Sequence, residues 1–198
     1  MPKLFAIILS LIIAGCSSST IIEDTTRNEI NITIVQNNEV IEPENNTYRL
    51  RRAPFSIRLT FKQPDGVLIH TSLNDRTYLK AESAYPLNEL PGFMNTSIAE
   101  ELFNMESVIY VSESAPAYWY YTDETDHRFN TVVPGELGYL CIREISNIID
   151  IDSGKEPVPL SRMKGDTLYL VIMKTDWNKD YTERIELNRK VIKIIFNI

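Results

Sequence analysis

The stretch Phe55-Ser56-Ile57-Arg58-Leu59-Thr60-Phe61-Lys62 alternates apolar and polar side chains without a break. A period of two is the period of a β-strand: four apolar residues point to one side and four polar residues to the other. Such a strand has one buried face and one wet face, as in antiparallel sheets, so the chain must supply a further layer to cover the apolar side. The same alternation begins after Glu29, where Ile30, Ile32 and Ile34 are interleaved with Asn31 and Thr33. Gln63-Pro64-Asp65-Gly66 has turn chemistry, with Pro presetting φ and Gly accepting positive φ, and Val67 to His70 is expected to return as the hairpin partner of 55–62.

Strand patterns recur at Ser107–Val111, Ala117–Thr122, Leu137–Ile145, Thr167–Lys174 and Thr182–Phe196. Asp152-Ser153-Gly154 reads as a turn, and Asn188-Arg189 is expected to separate the last two strands. One short helix is expected near 97–105: Ser97 and Glu100 have capping-box spacing, and Ile98, Leu102 and Met105 form an apolar stripe. No internal repeat is visible. Many short strands divided by Pro, Gly and Asn turns imply a mainly β chain, an antiparallel β-sandwich of immunoglobulin-like or transthyretin-like type with one short helical insertion. The immunoglobulin disulfide is missing, so that label is architectural.

The first twenty residues follow different rules. Met1-Pro2-Lys3 opens with a positive charge, and Leu4 to Ile13 is an apolar run of about ten residues, the length of a secretory signal core. Crossing a bilayer takes about 20. Ile13-Ala14-Gly15-Cys16 then resembles the lipobox of bacterial lipoproteins: an aliphatic residue, two small residues and a cysteine. The resemblance covers only this segment. It implies cleavage before Cys16, a lipid on the Cys16 sulfur, and a stable membrane anchor, because two or more acyl chains hold a protein where one does not. Ser17 stands where an inner-membrane retention signal would place Asp, so the resemblance further implies sorting to the outer membrane. The chain thus divides into a signal peptide (1–15), a lipidated N-terminus and flexible tether (16–28), and a single sandwich domain (29–198).

Removing 1–15 leaves 183 of the 198 residues, enough for one domain with its own core, and takes one Lys from a chain of net charge −7, leaving −8. An acidic surface repels nucleic acid, so no nucleic-acid partner is expected. Arg49, Arg51 and Arg52 are the nearest approach to a basic stripe and read as a solvated strand edge. With Cys16 carrying lipid, Cys141 has no disulfide partner in the chain and reads as a small buried hydrophobe in Tyr139-Leu140-Cys141-Ile142. Stability must therefore come from burial alone.

A catalytic set is hard to assemble. There is no G-x-S-x-G elbow, and the only histidines are His70, read as a surface or satisfied strand residue, and His127, in the charged loop Asp123–Arg128. Two histidines leave little for a zinc site. Asp176, Asn178 and Asp180 match the first positions of an EF-hand loop, but Tyr181 and Leu187 stand where Gly and Glu are required; Asp150 to Gly154 fails in the same way. No metal and no cofactor are expected. The most unusual stretch is Tyr118-Trp119-Tyr120-Tyr121. On a strand it puts two rings on each face, and one pair is exposed unless something covers it. These four residues, with His127 and Arg128 nearby, are the candidate contacts for a ligand or partner.

The sequence thus leads to a membrane-anchored lipoprotein of the cell envelope, held through Cys16, whose domain is a non-enzymatic interaction or assembly module with a protein partner. A surface glycan- or host-binding protein using strand 118–121 is the alternative, and a hydrolase stands third.

Overall fold

The computed structural model describes residues 28–61, 67–93, 107–115, 117–119, 129–131, 139–154 and 156–197. The expected helix at 97–105 lies outside them. Thirteen strands are described: β1 (Ile30–Gln36), β2 (Glu39–Ile41), β3 (Thr47–Arg51), β4 (Phe55–Phe61), β5 (Val67–Ser72), β6 (Val108–Val111), β7 (Ala117–Trp119), β8 (Phe129–Thr131), β9 (Tyr139–Ile145), β10 (Asn147–Asp150), β11 (Val158–Pro159), β12 (Thr167–Trp177) and β13 (Arg184–Asn197). Two five-stranded sheets, ordered β2-β1-β4-β9-β8 and β3-β13-β12-β5-β7, are joined by a small sheet ordered β11-β10-β6. The chain is therefore mainly β and sandwich-like. Antiparallel pairing predominates, and two pairs, β3/β13 and β6/β10, run parallel.

The apolar face of β4 is buried as its pattern requires, while on the polar face Ser56 is buried as well. Phe55, Ile57, Leu59 and Phe61 are buried, Arg58 is exposed and Thr60 is half-buried. They meet Ile30 and Ile34 of β1, Leu168, Leu170 and Ile172 of β12, and Ile192, Ile194 and Phe196 of β13 in one shared core. The rings of Phe55 and Phe196 lie 5.8 Å apart across it.

Two strand expectations are corrected. Val67–His70 does not pair with β4. β5 instead pairs antiparallel with β12 and β7, while β4 lies between β1 and β9, so the chain changes sheets between them. Turn residues specify a reversal of direction but not which edge receives the returning strand, and all six residues of β5 are buried, which a two-sided cover requires. Asn188-Arg189 also does not divide two strands. β13 runs unbroken for 14 residues, and the irregularity is a β-bulge. Lys174 faces Asn188 and Thr175 faces Glu186, so Leu187 is the extra residue.

Among the described residues the one α-helix is α1 (Arg76–Glu82), a two-turn segment absent from the sequence expectations. Asn74 Oδ1 accepts the Arg76 N–H just ahead of it at 2.8 Å. Thr77, Tyr78 and Ala81 form its buried side. They close a second core with Leu68, Leu90, Val171 and Met173. Side chains on β5 and β12 therefore divide by parity: Ile69, Leu170 and Ile172 enter the shared core, while Leu68, Val171 and Met173 enter the core beneath α1.

Asp150 to Gly154 forms the expected turn, with the Gly154 N–H on the Asp150 carbonyl at 2.9 Å. Arg49 and Arg51 are exposed on the outermost strand of their sheet, as expected of a wet edge. Arg52 is bound in place, donating to the carbonyls of Met163 at 2.9 Å and Gly165 at 2.6 Å.

Candidate functional site

Of the residues singled out from sequence, Cys16, Tyr120, Tyr121, His127 and Arg128 lie outside the described residues. Tyr118 and Trp119 lie on β7, opposite Leu68 and Val67 of β5. β7 is the outermost strand of its sheet among the described residues.

His70 occupies a very different setting from a surface strand. It is 1% exposed, on the side of β5 that faces α1. The backbone of Gly92 lies flat against its ring: a Cβ there would sit 2.1 Å from His70 Cδ2. Gly92 is itself pinned by its N–H, which donates to Thr77 Oγ1 at 3.0 Å. The Phe93 ring is 5.8 Å from the imidazole, and His70 Nε2 is buried without a hydrogen-bond partner. Burial pushes the imidazole down from its ordinary value of 6.5 to about 4, against the opposing pull of the Glu113 and Ser112 backbone and the Asp152 charge. The ring is thus a neutral packing element of the second core.

Beside it, at the end of β5, Ser72 Oγ donates to Glu113 Oε1 at 2.7 Å. Asp152 gathers the Ser112 hydroxyl at 2.9 Å, the Ser114 hydroxyl at 3.0 Å and the Glu113 N–H at 2.6 Å. Burial raises the Asp152 carboxyl, but these hydrogen bonds outweigh it and hold the group below its ordinary value. The cluster borders a cleft of only about 40 Å³. Its hydroxyls are committed to carboxylate, and His70 Nε2 faces Gly92. The arrangement therefore ties the loop 112–115 to the turn 150–154; it does not present a nucleophile to a base.

Large side chains are also exposed singly at Val40, Leu79, Tyr85 and Val158, and three more gather on one element elsewhere. β12 pairs with β5 only as far as Lys174, and β13 pairs with β3 only from Lys193 onward. Beyond Thr175, among the described residues, the two strands continue as a two-stranded arm, with Asp176 and Ile185 paired on one face and Trp177 and Arg184 paired on the other. At its end Asn178 brackets the loop. Its N–H donates to the Glu183 carbonyl at 2.8 Å, its Oδ1 accepts the Thr182 N–H at 2.9 Å, and its Nδ2 donates to Thr182 Oγ1 at 2.9 Å. Trp177 is 45% exposed, Tyr181 79% and Ile185 42%. The Arg184 guanidinium lies over the Trp177 ring at 4.7 Å and donates to Thr175 Oγ1 at 3.0 Å. Tyr181 has φ of 55°, a left-handed conformation uncommon for a bulky side chain.

Sequence reasoning weighed Asp176, Asn178 and Asp180 only as metal ligands and passed over this surface. The available signal was two aromatics, Trp177 and Tyr181, set inside a polar turn where folding alone asks for none. Among the described residues no group of three or more His, Cys, Asp or Glu side chains converges as a metal site would require. No helix among them is long and apolar enough to cross a membrane. No family model, curated protein or solved structure matches the chain.

Proposed function

We propose that this chain is a lipid-anchored protein of the bacterial cell envelope whose β-sandwich domain acts as a non-enzymatic contact module. The observation that carries the contact role is the arm: Tyr181 on its bracketed loop, and Trp177 and Ile185 on its two strands, are large exposed side chains that neither domain core uses. Exposed aromatics of this kind combine apolar area with polar tips and serve interfaces. The anchor rests on the apolar run Leu4–Ile13 and the lipobox Ile13–Cys16. Cys16→Ser is expected to abolish incorporation of labelled fatty acid and leave the precursor uncleaved; a variant that still matures and stays on membranes rules the anchor out.

A second reading has support from the position of β7. Tyr118 and Trp119 on an outermost strand suit a glycan- or host-binding surface. Protease treatment of intact cells separates the two: digestion favours the surface role, and protection favours contacts inside the envelope.

A further inference from the structure

The arm and the chain's entry into the domain share one pole. Ile30, the first residue of β1, pairs with Phe61, the last of β4. Val67, the first residue of β5, pairs with Lys174, where the arm begins. Asn188 Nδ2, at the base of the arm on β13, donates to the carbonyl of Asn28 at 2.7 Å, which fastens the incoming chain to that base. From Asn188 to the start of β13 at Arg184 the arm advances four residues, about 13 Å at 3.3 Å per residue, and the loop 178–183 lies beyond. Eleven residues lie between Cys16 and Asn28, and the chain takes twelve steps across them. They reach at most about 40 Å when fully extended. A bilayer holding Cys16 therefore lies within the range that the arm's end sweeps.

We propose that the end of the β12–β13 arm is a membrane-contacting element that sets Trp177, Tyr181 and Ile185 into the headgroup region of a zwitterionic phospholipid bilayer and so orients the domain on its anchor. The proposal rests on the lipid-anchor reading above. The chemistry of the arm matches that surface. Trp and Tyr concentrate at headgroup depth, where an amphipathic ring meets both phases. Arg184 and Lys179 can keep their charges in the headgroups while their stems cover apolar area. Against Lys179 and Arg184, the acids Asp176, Asp180 and Glu183 leave the arm with one net negative charge, which suits zwitterionic rather than anionic lipid. Three side chains make a weak contact on their own. The tether makes the contact intramolecular, at an effective concentration of order mM, so weak is sufficient.

The test uses the full, processed chain in phosphatidylcholine vesicles with and without brominated acyl chains, compared with Trp177→Phe. Trp177 is exposed, so the substitution leaves the fold in place, and the difference between the two proteins isolates its emission from that of Trp119. The expected result is a blue-shifted Trp177 emission quenched at least about two-fold by brominated lipid. The mass of the N-terminal peptide is read from the same sample. Lipid on Cys16 together with unshifted, unquenched Trp177 emission overturns the arm contact and leaves the anchor standing. A Cys16 without lipid removes the anchor and the proposal with it. A photo-crosslinking amino acid at position 181 gives lipid adducts in living cells if the proposal holds; protein adducts alone overturn it and assign the arm to a protein partner.

Discussion

The two ends of β12 obey one ladder and reach opposite outcomes. Between Leu168 and Thr175 the strand is shielded on both faces, by the facing sheet and by α1, and only Tyr169 is half-exposed. At Asp176 and Trp177 the same strand is wet. Nothing in the local residue types marks the boundary: Lys174 is fully buried and Trp177 is nearly half exposed. Burial here follows from which neighbours lie alongside: among the described residues β5 pairs with β12 no further than Lys174. The difference teaches where each region can carry function. In the covered region even a titratable ring, His70, is held as packing. On the arm, large apolar side chains belong to neither core and are available for contact.

If the covered region is as tightly fitted as Gly92 against His70 indicates, Gly92→Ala should cost about 3 kcal/mol, because the added methyl meets ring atoms rather than the end of a flexible chain. Urea unfolding with an unchanged m-value would register it; a loss under about 0.5 kcal/mol would show that the ring can move aside. The same region should be acid-sensitive. The His70 pKa is about 4 in the fold against 6.5 for the free group, so the unfolded chain binds the proton first. Stability is then complete above pH 6.5 and falls as pH drops toward 4, by at most about 1.4 kcal/mol per pH unit and about 3 kcal/mol in all. His70→Gln should flatten that slope; a slope unchanged in the variant assigns it to other groups.

The arm should respond in the opposite sense. Tyr181→Asn is expected to stabilise the protein by up to about 1 kcal/mol, because Asn tolerates positive φ better than Tyr, while removing the ring that contacts the partner surface. Thermal melting checks the first effect and vesicle quenching the second. The smallest expected effect is that of Trp177→Ala, which should leave stability within about 0.5 kcal/mol, as at other surface positions. A larger loss would mean that the Arg184–Trp177 stack supports the fold, and the contrast between the two regions would narrow.

Much of the architecture was legible because strand alternation is a local property. Phe55–Phe61 and Ile30–Ile34 announce their two faces in their own spacing, Thr167–Lys174 announces a strand covered on both sides by its unbroken apolar run, and the turn at Asp152–Gly154 announces itself in Asp, Ser and Gly. α1 was not legible: Arg76–Glu82 spans two turns, too short for helical periodicity to stand out, and it forms because Thr77, Tyr78 and Ala81 have a core to close. The aromatic run 118–121 stands out by composition, whereas Trp177 and Tyr181 are a fainter signal, two single aromatics in a polar turn rather than a run.

By itself the sequence determined that this chain builds sheets from amphipathic strands, and it carries at Ile13–Cys16 the motif from which an anchor is expected. Only the tertiary structure decided that β4 and β5 separate into different sheets, that β13 runs through Asn188-Arg189 on a bulge, that His70 is sealed beneath Gly92, and that Trp177, Tyr181 and Ile185 are exposed on the arm. The physical reason is that a strand's period dictates which side chains share a face, while burial of that face depends on neighbours brought from distant parts of the chain. Asn28 and Asn188 are such a pair, joined by one hydrogen bond that places the entry of the chain beside the arm.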